Sequence, residues 1–213
     1  MPTNPNDAAL SRLPQTLPRP DLRVGDEWLF LTHTLDDSDP KDAGLLMRSR
    51  VVALLSDGQI QVEVNNGDKD AAEATWLKSL YSDQFDLLSR EVGPGDAILY
   101  KPAFPMFKFP MAAGNAWDEV VTQSQPEWWQ ESQIGVRVEV QAREMVNVPA
   151  GSFAAIRLHG VYTTPNATVT SQYWYAPAAG RSVKGIETTV DKATQSSVRT
   201  QYSLQQLNRL RQT

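Results

Sequence analysis

Between Ile134 and Ala142 the chain alternates apolar and polar residues. Ile134, Val136, Val138, Val140 and Ala142 share one face, while Gln133, Arg137, Glu139, Gln141 and Arg143 share the other. A period of two with one apolar and one charged face predicts a half-buried antiparallel strand. The pattern breaks at Glu144, which predicts a bulge or bend before Val146 and Val148. The same period recurs upstream. Trp28, Phe30 and Thr32 alternate with Leu29, Leu31 and His33, and Leu45, Met47, Val51, Ala53 and Leu55 share one parity. Asp57-Gly58 is a hairpin turn into Ile60, Val62 and Val64. Further strands are expected over 152–162, 168–175, 183–190 and 196–204, with Pro165-Asn166 and Pro177-Ala178-Ala179-Gly180 as turns. Helix is scarce. Its candidates are the C-terminal run, where Leu204, Leu207 and Leu210 fall three apart, and residues 71–80. Roughly ten short strands separated by turn signals predict an all-β, antiparallel sandwich or incompletely closed barrel.

The strands come in two related sets. Gly25-Asp26-Glu27-Trp28 opens the first half and Gly114-Asn115-Ala116-Trp117 the second, each after a proline-rich lead-in. Each is followed by a basic strand opener, Arg48-Ser49-Arg50-Val51-Val52 in one and Val136-Arg137-Val138-Glu139-Val140 in the other. Thr75-Trp76 and Tyr173-Trp174 form a third echo. These spacings predict a scaffold of two related meanders. The organisation expected is a flexible lead over 1–20, a first β repeat over 21–99, a Pro/Phe-rich connector over 100–110 and a second β repeat over 111–213, together one compact unit.

Composition removes several chemistries. With 213 residues, 41% hydrophobic and 21% charged, the chain has the make-up of a folded domain. The net charge of −5 gives no electrostatic reason to expect nucleic acid as a partner. Residues 1–100 carry 9 basic against 17 acidic side chains, and 101–213 carry 11 against 8. The excess acid lies in loop-like runs such as Asp36-Asp37-Ser38-Asp39 and Asp68-Lys69-Asp70, which read as solvated turns. The absence of cysteine excludes disulfides, thiolate nucleophiles and thiolate metal sites. No apolar run reaches the roughly 20 residues of a membrane-spanning helix. The start, Met1-Pro2-Thr3-Asn4-Pro5-Asn6, reads as a polar tether, or as a start placed on an already processed protein.

No catalytic or metal signature appears. His33 and His159 each sit inside a strand pattern, and no nucleophile elbow, paired-histidine zinc motif or phosphate-cradling glycine loop is present. The acidic sets Asp37, Asp39, Asp42 and Asn66, Asp68, Asp70 lack the glycine and distal glutamate of a calcium loop. The expectation is therefore no cofactor and no metal.

The aromatics carry the remaining signal. Trp28, Trp117 and Trp174 lie near strand ends, where they either fill the core or line the mouth of a barrel that holds an apolar ligand. Phe104, Phe107 and Phe109 belong to the connector and read either as plugs of a seam or as an exposed lip. Trp128-Trp129 stands in a polar loop between Pro126-Glu127 and Gln130-Glu131, an odd place for core residues. These eight residues are the candidate ligand-binding set.

Val146-Asn147-Val148-Pro149-Ala150-Gly151-Ser152-Phe153, with Tyr173-Trp174-Tyr175-Ala176-Pro177-Ala178-Ala179-Gly180-Arg181-Ser182-Val183-Lys184, resembles a family of exported bacterial proteins of unknown function, the TapB-like group. The shared features are a V-P-A-G-x-F turn and a W-Y-A-P-x-x-G-x-V-K strand end. The resemblance is strongest over 105–190 and implies a periplasmic or envelope-anchored β protein, loosely akin to half-barrel carriers of the LolA and LolB type. The leading expectation is a non-enzymatic protein that binds an apolar or amphipathic envelope ligand, such as a lipid or a cell-wall component. The alternative is an assembly factor that holds another envelope protein through a sheet edge or the phenylalanine lip. A third is a carbohydrate-active enzyme using carboxylates such as Glu119 and Glu127.

Overall fold

The computed structural model describes residues 5–35, 44–67, 75–93 and 95–210. Among the described residues one α-helix, α1 (Pro5–Arg12), precedes twelve strands. These are β1 (Glu27–Leu35), β2 (Leu45–Leu54), β3 (Ile60–Asn66), β4 (Thr75–Tyr81), β5 (Leu87–Val92) and β6 (Ala97–Phe104). The second six are β7 (Ala116–Gln125), β8 (Gln130–Val148), β9 (Gly151–Thr163), β10 (Ala167–Ala176), β11 (Arg181–Asp191) and β12 (Ser197–Asn208). Each strand pairs antiparallel with the next, and β1 also pairs with β12. The meander is therefore a closed barrel, and among the described residues no strand edge is left open to solvent.

Parity decides what fills it. Val136, Val138 and Val140 of β8 and Ile156 and Leu158 of β9 are buried, while Arg137 and Glu139 are exposed. The break comes earlier than the Glu144 the pattern predicts: the register against β9 shifts between Val140 and Arg143, which leaves Ala142, expected on the apolar face, exposed. A barrel of this many strands is wide, so side chains from one layer do not fill it alone. Loops close one rim. Leu13, Leu17, Leu22, Phe107 and Met111 are all buried there, and Leu17 and Met111 exchange backbone hydrogen bonds of 2.7 and 2.8 Å. Phe107 packs between Phe85 and Tyr175, with ring centroids 6.1 and 5.3 Å away.

Several local expectations change. The lead over 1–20 contains α1 and the buried Leu13 and Leu17, because covering the barrel mouth removes their apolar surface from water. Part of the Pro/Phe-rich connector, Tyr100–Phe104, lies in β6 rather than outside the sheet. Pro102 is tolerated because β6 pairs with β5 at Leu99 and Phe104 but not between, and with β7 only over Leu99–Lys101. Of the leucine run at the C-terminal end, Leu204 and Leu207 lie in strand β12 rather than a helix, and Leu210 lies just beyond it. A register shift opposite Leu29/Phe30 places Leu204 beside Phe30 and Leu207 beside Trp28, so both share the inner face despite their spacing of three. Thr75–Tyr81 is strand β4, and residues 71–74 of the other helix candidate lie outside the described residues. The acidic runs 36–42 and 68–70 also lie outside them.

The two glycine-tryptophan motifs make the same bonds. Gly25 N–H donates to Val51 C=O and Val51 N–H to Asp26 C=O, at 2.8 and 2.9 Å. Gly114 N–H donates to Val140 C=O and Val140 N–H to Asn115 C=O, both at 2.8 Å. In each motif the Asp or Asn side chain accepts the N–H three residues earlier, from Arg23 at 3.1 Å and from Ala112 at 2.7 Å. Both glycines have a positive φ, +97° and +87°, which a side chain resists. The motifs thus start β1 and β7, six strands apart. The third echo is not equivalent: Trp76 lies at the start of β4 on the rim opposite the plug, whereas Trp174 lies near the end of β10 at the plugged one.

Candidate functional site

The inner wall carries a belt of tyrosines. On β9 and β11, Gly160 and Gly185 leave flat backbone against which Tyr162 and Tyr202 lie. A Cβ on Gly185 would overlap Tyr202 Cε1, and one on Gly160 would meet Tyr162 Oη at 2.7 Å. Tyr173 sits opposite Gly185 on β10, 6.3 Å from the Tyr202 ring. Burial pushes the Tyr162 phenol up to about 12, and burial together with the Glu187 carboxylate holds Tyr173 well above its ordinary value. Burial likewise raises Tyr202 and Tyr100. These phenols stay protonated at neutral pH and offer O–H donors to the interior.

Beside the belt is a cavity of about 230 Å³. Leu87, Phe104, Met106, Ile134 and Val169 give it an apolar wall, and Arg90, Tyr100, Tyr162, Tyr173, Thr164 and Glu187 give it polar groups. Arg90 faces inward because its β4 partner is the buried Ser79. Its Nε is buried without a hydrogen-bond partner, and among the described residues no carboxylate lies within ion-pair distance of it. Glu187 is differently placed: it accepts the Tyr173 O–H. The two charged residues of the lining therefore make no direct ion pair with each other.

Nearer the plugged rim lies a second guanidinium, Arg181. It sits 4.9 Å from the Trp28 ring and 5.1 Å from the Phe30 ring, and donates to Ser49 Oγ at 2.6 Å. Burial lowers its proton affinity, opposed by Tyr81 and Tyr202, and the two ring faces offset part of the cost of the buried charge.

The structure distributes the eight aromatics expected to bind ligand over several places. Phe104 lines the cavity. Trp28 and Trp117 are buried core residues whose indole N–H groups anchor plug-side loops, donating to Ala179 C=O at 2.8 Å and to Pro105 C=O at 3.0 Å. Phe107 is buried in the plug, with Phe109 half-buried 5.5 Å from Tyr175. Trp174 lies between Arg157 and Lys184 on the outer face, donating to Glu144 at 2.8 Å under the Lys184 ammonium. Trp128 and Trp129 stand at the β7–β8 tip, 63% and 96% exposed, on the rim opposite the plug. Trp129 shares a groove with Pro165 and Asn166, next to the cavity-lining Thr164. Glu119 and Glu127 do not face one cleft, since Glu119 pairs with Lys108 of the plug loop and Glu127 lies against Gly95 at the far rim. Arg90, Glu187 and the tyrosine belt carry no sequence signal of their own, because an inward polar residue in a wide barrel has the parity signature of a bulge or an outer face.

Comparison with solved structures gives a likeness in fold. A candidate exported protein of YmcC-like fold from Bacteroides fragilis superposes with a TM-score of 0.50 at 18% identity, covering 91% of this chain and 100% of its own. The fold is YmcC-like. A candidate lipoprotein from Parabacteroides distasonis gives 0.47 at 14% identity over 92% of this chain and 100% of its own. The hypothetical lipoprotein YmcC of Escherichia coli gives 0.44 at 10% identity, over 91% and 90%. The likeness to the Bacteroides fragilis protein is one of fold alone. No protein-family model and no curated protein matches the chain. The V-P-A-G-x-F segment forms the β8–β9 turn and the W-Y-A-P strand end forms the close of β10 with its turn, so both motifs shape the barrel rather than a reactive site.

Proposed function

We propose that this chain is a non-enzymatic protein of the bacterial envelope that holds a small amphipathic ligand inside its barrel. The observation that carries the reading is the interior cavity, apolar on one side and lined on the other by a guanidinium with no ionic partner among the described residues. Ligand pockets combine an apolar lining with a few convergent polar groups in this way. The envelope location is supported by the exported designation of the Bacteroides fragilis fold neighbour and by the resemblance of the turn motifs to the TapB-like group. The apolar part of the ligand packs against Phe104, Ile134 and Val169, and Trp128 and Trp129 stand on the rim opposite the plug, toward which the cavity-lining Thr164 lies. Closure of the sheet weakens the assembly-factor reading, since strand addition needs a free edge.

Native mass spectrometry of protein exported to, and recovered from, a Gram-negative envelope tests this. Added mass that leaves on gentle activation, and that is absent when Val169→Trp fills the cavity, is the expected result. Bare protein from the envelope, or added mass that Val169→Trp leaves unchanged, overturns it.

A further inference from the structure

Building on that reading, we infer that the ligand is an anion, an amphiphile whose carboxylate or similar headgroup pairs with Arg90. The Nε edge of Arg90 is closed to water while the residue as a whole is half-buried. A cation lining an apolar pocket without a paired carboxylate gains from a ligand that brings the counter-charge. Arg181 shows how this barrel treats a structural arginine: two aromatic faces and a hydroxyl meet its charge. Arg90 has neither. Among the described residues no aromatic ring lies over it and no carboxylate pairs with it, yet its side chain lines the cavity and its Nε is sealed from solvent. The other charged lining residue makes no ion pair with Arg90: Glu187 accepts the Tyr173 O–H and, among the described residues, lies beyond salt-bridge distance of the guanidinium. The planar fork of Arg90 suits a two-oxygen headgroup, and Tyr100, whose phenol feels the Arg90 charge, stands beside it as a further donor. Leu87 and Met106 then receive the start of the tail, and Ile134 and Val169 its end.

Calorimetric titration with three probes of one chain length separates the possibilities: octanoate, octan-1-ol and octylammonium. Octanoate is expected to bind roughly ten- to a hundredfold more tightly than octanol, the range of a charge-assisted hydrogen bond. Arg90→Gln should bring octanoate down to the level of octanol and leave octanol itself unchanged. Arg90→Lys should keep a weaker preference for the anion, since the charge survives and the fork does not. Glu187→Gln should leave octanoate bound at least as tightly as before. Octanol binding as well as octanoate, octylammonium binding best, or Arg90→Gln retaining the preference would each overturn the anion assignment while leaving the amphipathic-ligand reading intact. Failure of all three probes to bind would sink both.

Discussion

Asp26 is the place where one substitution tests how the barrel is closed. Its carboxylate is fully buried and accepts three hydrogen bonds, from Arg23 N–H at 3.1 Å, Leu210 N–H at 3.0 Å and Arg209 Nε at 3.3 Å. Arg209 also donates to the Pro177 and Ala178 carbonyls of the β10–β11 turn. One side chain thus ties the entry of β1 to the exit of β12, the pair that closes the ring. Asp26→Ala removes all three hydrogen bonds and leaves the Arg209 Nε–H and two backbone amides unsatisfied. With about 1–3 kcal/mol for each orphaned buried group, discounted because Arg209 and both amides keep some access to water, the expected loss is about 3–5 kcal/mol. Asp26→Asn keeps one acceptor oxygen, the arrangement Asn115 uses in the second motif, and should lose about 1–2 kcal/mol. Urea unfolding followed by tryptophan fluorescence, with the slope checked for constancy, reads both. A loss below about 1 kcal/mol for Asp26→Ala would refute the reasoning, since the carboxylate would then be replaceable by water.

Two further substitutions probe the interior and the plugged rim. Gly185→Ala puts a methyl into the space of Tyr202 Cε1, so the ring must leave its place. A cost of about 1–3 kcal/mol and an altered near-ultraviolet circular dichroism signal are expected, and a wild-type melting curve would contradict the close packing. Asp86 has its carboxyl pushed up to about 6, chiefly by burial, with Glu119 and Asp83 adding to the effect and Lys108 opposing it. Because the folded chain holds this proton more tightly than the unfolded one, the contribution is fully present below the ordinary carboxylate range and is lost as pH rises through about 6. Asp86→Asn should flatten the stability profile across that window, and an unchanged profile would remove Asp86 as the cause.

The parts of this fold legible in the sequence are those where one strand carries its own evidence. β8 announces itself by five apolar residues at period two, and Asp57-Gly58 marks the β2–β3 turn by its residue types alone. Closure is not legible, because the β1–β12 pairing joins the two ends of the chain and leaves no local pattern. β12 and β6 are blurred by register shifts: one turns Leu204 and Leu207 into a helix-like spacing, and the other accommodates Pro102. The candidate site is the least visible part. Aromatic residues are the conspicuous ones, yet Trp28 and Trp117 anchor loops through their indole N–H groups. The polar groups of the cavity sit in stretches such as Ser89-Arg90-Glu91 and Ile186-Glu187-Thr188, whose pattern matches a solvent-facing strand equally well. Parity assigns a residue to a face; it does not say that the inner face of a wide barrel holds charge.

The central claim, that the barrel interior is a binding site, is tested most directly by a crystal structure of the protein soaked with 8-bromooctan-1-ol, with the bromine located from its anomalous signal. The account predicts a bromine peak inside the barrel among Phe104, Ile134 and Val169, and its disappearance in Val169→Trp. Bromine found only in the outer groove at Pro18, Pro177 and Leu210, or no ordered bromine at all, would contradict it.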